Sequence, residues 1–251
     1  MTRIIACVSG KGGVGKTTVV SNLGVSLARM GKSVVVVDAN LTTPNLGLHL
    51  GVPLYPTTLH DVLKGSASIK DAIYYHDSGL KIVPAGLSLR DLRGTDSRDL
   101  PNAMLDLLGT ADIVLLDSAA GLGKETLSSM EAADEMVLIT NPELTSIADA
   151  LKASKLAQQL GTKTIGTVVN RVANRPHEMR LEDIHNMLDS EILAVIPEHV
   201  DVQRAISKRT PVVIHSPNSA PSREIRKLAG RLVGIEYKES RPWYRFFSRK
   251  P

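Results

Sequence analysis

The 251-residue sequence predicts an α/β fold, a mostly parallel central sheet with helices on both faces. Two patterns carry that expectation. Short apolar runs such as IIACV, VVVV and IVLL are continuous rather than alternating, as in strands covered on both sides. Amphipathic segments of helical length separate several of them, the alternation that builds parallel crossovers.

In chain order, RIIACVS (3–9) is the first strand and TTVVSNLGVSLARMG (17–31) the first helix. SVVVVDA (33–39) is the next strand, and a loop opens after it at NLTTPN. LKIVPA (80–85), DIVLLDSA (112–119), EMVLIT (135–140), KTIGTVVN (163–170) and EILAVIP (191–197) complete the strands. TSIADALKASKLAQQLG (145–161) is a helix that stops at a glycine. HSPNSAPS (215–222) reads as a Pro/Ser loop ahead of a last helix, REIRKLAGRLVG (223–234). Right-handed crossovers bring the loops that follow the strands to one rim. There is no repeat and no low-complexity tract, so we expect one domain over 1–237 and an appended tail over 238–251.

Composition narrows the function classes. Hydrophobic residues make up 43% and charged residues 22%, ordinary values for a globular protein. No apolar run approaches the roughly 18–20 residues that cross a bilayer. The first residues enter a strand pattern directly, and we expect no signal peptide and a cytoplasmic location. The lone cysteine, Cys7, lies inside IIACV and reads as a small buried hydrophobe. One cysteine excludes cluster carriers, which need bridging pairs, and the seven histidines never fall at zinc-ligand spacing. The tail holds five basic residues and one acid, which equals the whole net charge of +4, so residues 1–237 sum to zero. A neutral body argues against nucleic acid as the partner, since phosphate contacts need a basic surface.

Gly10, Gly15, Lys16 and Thr17 complete G-x-x-x-x-G-K-T between a strand and a helix, the context a phosphate-binding loop requires. From Gly10 through Gly12, Gly13, Val14 and Gly15, glycines let successive N–H groups turn toward phosphate oxygens; Lys16, Thr17 and Thr18 open the helix. Lys16 is expected to reach the terminal phosphates of ATP and Thr17 to ligate Mg²⁺. Asp38 and Asp117 each end an apolar strand, where a carboxylate can hold a water of the Mg²⁺ shell or cap a turn.

The stretch KGGVGKT, with Lys11 ahead of the usual lysine, resembles the deviant Walker A motif of the MinD/ParA family of P-loop ATPases. SVVVVDANLTTPNLGLHLGV, DIVLLDSAAGLG, MVLITNPE, VVNR and AVIPE resemble later family segments, so the likeness spans about residues 2 to 214 and is strongest to the MinD branch. The resemblance implies a P-loop NTPase fold and an ATP-driven homodimer, with Lys11 crossing to the phosphates on the partner. It further implies that Asn170, with Arg171, reads the adenine edge, that Pro197 lines the base, and that Glu143 serves ribose or cross-dimer contacts. Lys11, Lys16, Asp38 and Asn40 stand where the family's catalysis is carried.

Position 40 departs from the family. The second motif there usually reads D-x-D, whereas this chain has Asp38, Ala39 and Asn40. An amide can hold the attacking water but cannot take its proton. Tight ATP and Mg²⁺ binding with slow or absent hydrolysis is the expectation. Asn40 is either native to a slow switch or a substitution that traps the ATP-bound dimer. In the tail, Trp243, Phe246 and Phe247 would share one helical face flanked by Tyr244, with Arg245 and Arg249 toward the other. That pattern suits an anionic membrane surface or a partner protein, and it resembles the membrane-targeting end of MinD. The expected function is a switch ATPase that positions cellular machinery from the inner face of the membrane, acting on an unidentified activator or cargo. The alternative is a ParA-like partition protein.

Overall fold

The computed structural model describes residues 1–52 and 54–237; the tail residues Trp243, Tyr244, Arg245, Phe246, Phe247 and Arg249 lie outside them. The strands are β1 (Arg3–Ser9), β2 (Val34–Ala39), β3 (Tyr74–Tyr75), β4 (Lys81–Val83), β5 (Ile113–Ala120), β6 (Glu135–Thr140), β7 (Lys163–Val172) and β8 (Ile192–Pro197). They form one eight-stranded sheet in the order β3-β4-β2-β5-β1-β6-β7-β8. Every pairing is parallel except that of β3, an antiparallel edge on β4.

The α-helices are α1 (Lys16–Arg29), α2 (Leu46–His49), α3 (Leu59–Leu63), α4 (Leu100–Leu105), α5 (Lys124–Glu131), α6 (Leu144–Leu160), α7 (Leu181–Leu188), α8 (Val200–Ser207), α9 (Val212–His215) and α10 (Ala220–Leu232). They cover both faces, and the strands explain why. Successive side chains point to opposite faces, so both must be apolar. Ile5, Cys7, Val34 and Val36 pack with Leu23 of α1 and Leu228 of α10. Ile4, Val35 and Val37 face the other way, against Leu59 and Met104. Ala6 and Val8 meet Met130, Ala153 and Ala157 on α5 and α6. Cys7 is fully buried, and burial together with the neighbouring Asp117 charge pushes its thiol up to about 12.

From β1 the chain crosses to β2 on one side, and from β5 it crosses to β6 on the other. The β1–β5 pair is therefore the switch point of the sheet, where a crevice opens beyond the strand ends. Three boundaries differ from the expectation. β5 ends at Ala120, one residue later than expected, and β7 runs past Asn170 through Arg171 to Val172. The segment read as a loop to residue 222 already turns helical at Ala220: the Ser219 side chain accepts the Ser222 N–H, and Pro221 fits the first turn.

Candidate functional site

The loop between β1 and α1 holds the glycines at angles other residues resist. Gly13 and Gly15 have φ of 80° and 90°. Gly10 is constrained by space instead: a Cβ there would lie 2.3 Å from the Asp149 carbonyl of α6. Two amides fasten the loop from outside. Asn170 Nδ2 donates to the Val14 carbonyl at 2.7 Å. Asn141, with its amide turned to satisfy both neighbours, donates to the same carbonyl and to that of Asn170.

Beneath the loop sits a buried charge cluster. Lys16 Nζ lies 2.6 Å from Asp117 Oδ1, with side chains 7% and 1% exposed, and it also donates to the Ser118 carbonyl. Asp38 is in register with Asp117 on the adjacent strand. Burial, and then the Asp117 charge, raise the Asp38 carboxyl from 3.8 to about 7. Its oxygens accept the Leu46 N–H at 3.0 Å and the Asn40 N–H at 3.3 Å, so Asp38 also caps the start of α2. Asp117 Oδ2 is buried with no partner. Two carboxyls, one of them with an unpartnered oxygen, and one ammonium suit a divalent cation carried with phosphates.

The segment after Asp38 closes on itself. Asn40 Oδ1 accepts from the Thr43 N–H and hydroxyl, and Asn40 Nδ2 donates to the Thr43 carbonyl at 2.7 Å. An aspartate could accept the first two bonds but could not donate the third. Glu125, in the first turn of α5, accepts from the N–H of Leu41 and from the N–H and hydroxyl of Thr42.

These walls enclose a chamber of about 360 Å³, lined by Gly12, Gly13, Val14, Gly15, Lys16, Thr17 and Thr18 facing Asn40, Thr43, Asn45 and His49. Gly15, Thr18, Arg171 and Ile206 also line a smaller chamber of about 130 Å³, which adds Asn170, Pro197, His199 and Gln203. The two chambers adjoin, the larger one along the phosphate loop. Arg171 holds a left-handed φ of 57° at the junction. Asn170 lines the smaller chamber with one side-chain N–H already committed to Val14, leaving its amide oxygen and second N–H.

Lys11 and Glu143 do not line either chamber. They pair with each other on the rim at 3.2 Å, and Lys11 also donates to Thr145 at 3.4 Å. Sequence reading missed Thr43, Asn45, His49 and Glu125. NLTTPN advertised a loop, but nothing local says that its side chains turn inward or that a glutamate 85 positions later would hold it.

A doubly wound sheet with a glycine loop and a lysine–carboxylate cluster at its switch point defines a P-loop nucleotide-binding protein. Residues 5–212 match the CobQ/CobB/MinD/ParA nucleotide binding domain, and the chain belongs to that family. An uncharacterized ATP-binding protein of Methanocaldococcus jannaschii is 41% identical over 237 residues, 94% of this chain and 90% of the relative. The septum site-determining protein MinD of Thermotoga maritima is 32% identical over 248 residues, 93% and 89% of the two chains. Among solved structures, MinD of Pyrococcus horikoshii, complexed with Mg-ADP, has a TM-score of 0.90 and 38% identity, covering 92% of this chain and 96% of that one.

Proposed function

We propose that this chain is a MinD-like switch ATPase: it binds ATP with Mg²⁺, pairs with a second copy in that state, and hydrolyses slowly. The observation that carries the reading is the buried Lys16–Asp117–Asp38 cluster under the loop, with Asp117 Oδ2 left without a partner. Thr17, Asp38 and Asp117 would hold Mg²⁺, the last two through water. The ion, when bound, would offset the negative charge of the phosphate oxygens. Lys16 exchanges Asp117 and the Ser118 carbonyl for phosphate oxygens. Asn170, Arg171 and Pro197 receive the base.

Slow turnover follows from Asn40, whose amide is committed to Thr43 and carries no basic group. Asn40→Asp is expected to raise the ATPase rate; equal, brisk turnover in both proteins would remove this part of the reading. Pairing follows from Lys11. Its link to Glu143 is half exposed, and such pairs are worth only about 0–1 kcal/mol, so a partner's phosphates can outbid it. Size-exclusion light scattering with ATP, ADP and no nucleotide tests this. The expected result is a dimer with ATP alone, and a monomer for Lys11→Ala under every condition. A wild-type chain that stays monomeric in saturating MgATP refutes it.

The tail over 238–251 would add attachment to anionic lipid at the inner face of the membrane, strengthened when two copies pair. No helix among the described residues is long and apolar enough to cross a membrane. Flotation with anionic vesicles, with and without residues 240–251, should separate a bound from an unbound protein. The role proposed from these parts is spatial positioning of a division site or surface machine.

A further inference from the structure

His49 stands apart from the residues that the motifs name. It ends α2, and α2 is tied to the site because Asp38 accepts the N–H of its first residue, Leu46. One turn on, His49 lines the larger chamber together with Lys16, Thr17, Thr18, Asn40 and Asn45. It does not line the smaller chamber, although four of its neighbours line both. The ring therefore belongs to the phosphate end of the cleft. Among the described residues no group hydrogen-bonds it, and neither ring nitrogen is sealed from the chamber without a partner. Burial lowers its pKa against the opposing pull of the Asp117 charge, so the imidazole is mostly neutral near pH 7 and carries one donor and one acceptor. A partly buried donor with no structural partner, facing the phosphate loop, is available to a ligand.

We propose that His49 is a further binding residue of this cleft, donating a hydrogen bond to an oxygen of the bound nucleotide's phosphate chain. The inference rests on the nucleotide reading above and names a contact that the motifs do not. Its test combines calorimetry with NMR of the histidine rings, using the full-length protein with Mg²⁺. His49→Ala is expected to bind ADP about ten- to a hundredfold more weakly, the scale of one hydrogen bond to a charged acceptor. His49→Gln keeps an N–H donor and recovers part of that loss. The His49 ring signals, assigned by their absence from His49→Gln, should move with ADP and with inorganic pyrophosphate and stay in place with adenosine. Equal ADP affinity in all three proteins, with stationary His49 signals, overturns the proposal. Signals that move with adenosine but not with pyrophosphate place the ring on the sugar and also overturn it. A wild-type protein that binds no ADP refutes the nucleotide reading itself, which distinguishes the two failures. If His49→Ala does not fold, the ring signals and His49→Gln decide.

Discussion

Removing Lys16 is expected to destabilise the fold strongly as well as abolish nucleotide binding. The Lys16 ammonium is the only cation bonded to Asp117 among the described residues, and both side chains are almost fully buried. Asp38 lies alongside with its own carboxyl already raised to about 7. Lys16→Ala leaves a buried carboxylate uncompensated, a loss of about 3–5 kcal/mol in comparable buried pairs. The folded variant can escape only by protonation. An ordinary aspartate loses its proton near 3.9, so holding one neutral costs about 4 kcal/mol at pH 7 and about 1.5 kcal/mol at pH 5. Against a total stability of about 5–15 kcal/mol, the pH 7 loss is large. For a domain of this size it lowers Tm by about 6–20 °C. Urea unfolding of nucleotide-free protein at both pH values measures it. The expected pattern is a deep deficit at pH 7 that shrinks by more than half at pH 5 and is mostly restored by Lys16→Ala with Asp117→Asn. A Lys16→Ala protein within about 1 kcal/mol of wild type at pH 7 would show that the pair is not buried as described.

The Asp38 carboxyl is raised in the folded state, so between pH 3.8 and about 7 the folded chain keeps a proton that the unfolded chain has lost. Its stabilising contribution is complete below that window and disappears as pH rises through about 7. Asp38→Asn should therefore flatten the fall in stability from about pH 5 to pH 8; an unchanged slope in chemical unfolding contradicts the assignment. Gly10→Ala forces a Cβ to 2.3 Å from the Asp149 backbone, which α6 cannot easily yield. A loss of about 2 kcal/mol or more, with weakened ADP binding, is expected from an overpacked contact of this kind, and unfolding curves like those of wild type would refute it. Glu125→Gln weakens the acceptor that holds Leu41 and Thr42. It should loosen the Asn40 segment and speed hydrogen exchange at Leu41 and Thr42 without changing exchange in β7; unaltered exchange at those two amides counts against that role.

The strands were legible because a parallel sheet buries both faces, so residues such as Val34, Val35, Val36 and Val37 read as one apolar run. The phosphate loop was legible for a different reason: the whole device lies within a few consecutive residues. What could not be read depends on contacts between distant segments. Glu125 looks like a helix-start acid, and only the packing of α5 against β5 and β1 turns it onto Leu41 and Thr42. His49 looks like one polar residue in an apolar stretch until Asp38 fixes the direction of α2. Tyr74–Tyr75 makes a two-residue edge strand, too short to carry a period. The extension of β7 past Asn170 to Val172 depends on its pairing with β8, where the register shifts between Asn170 and Val172.

The same contacts tie the P-loop site together from within the chain. Lys16 is held by Asp117, Asn40 by Thr43, Asn170 by Val14 and Lys11 by Glu143. A ligand entering this cleft therefore exchanges partners instead of finding free ones, and its affinity reflects differences between bonds. The exchanges are unequal. Freeing Lys16 strips a buried carboxylate of its cation, a large cost that only a replacement cation can offset; nucleotide without a divalent ion should consequently bind poorly. Freeing Lys11 breaks an exposed pair of small worth. The deep exchange thus sets whether nucleotide binds, and in the proposed pairing the shallow one would free a rim cation for a second copy. That ordering, strong coupling at the floor and weak coupling at the lip, would let occupancy precede assembly in the proposed switch.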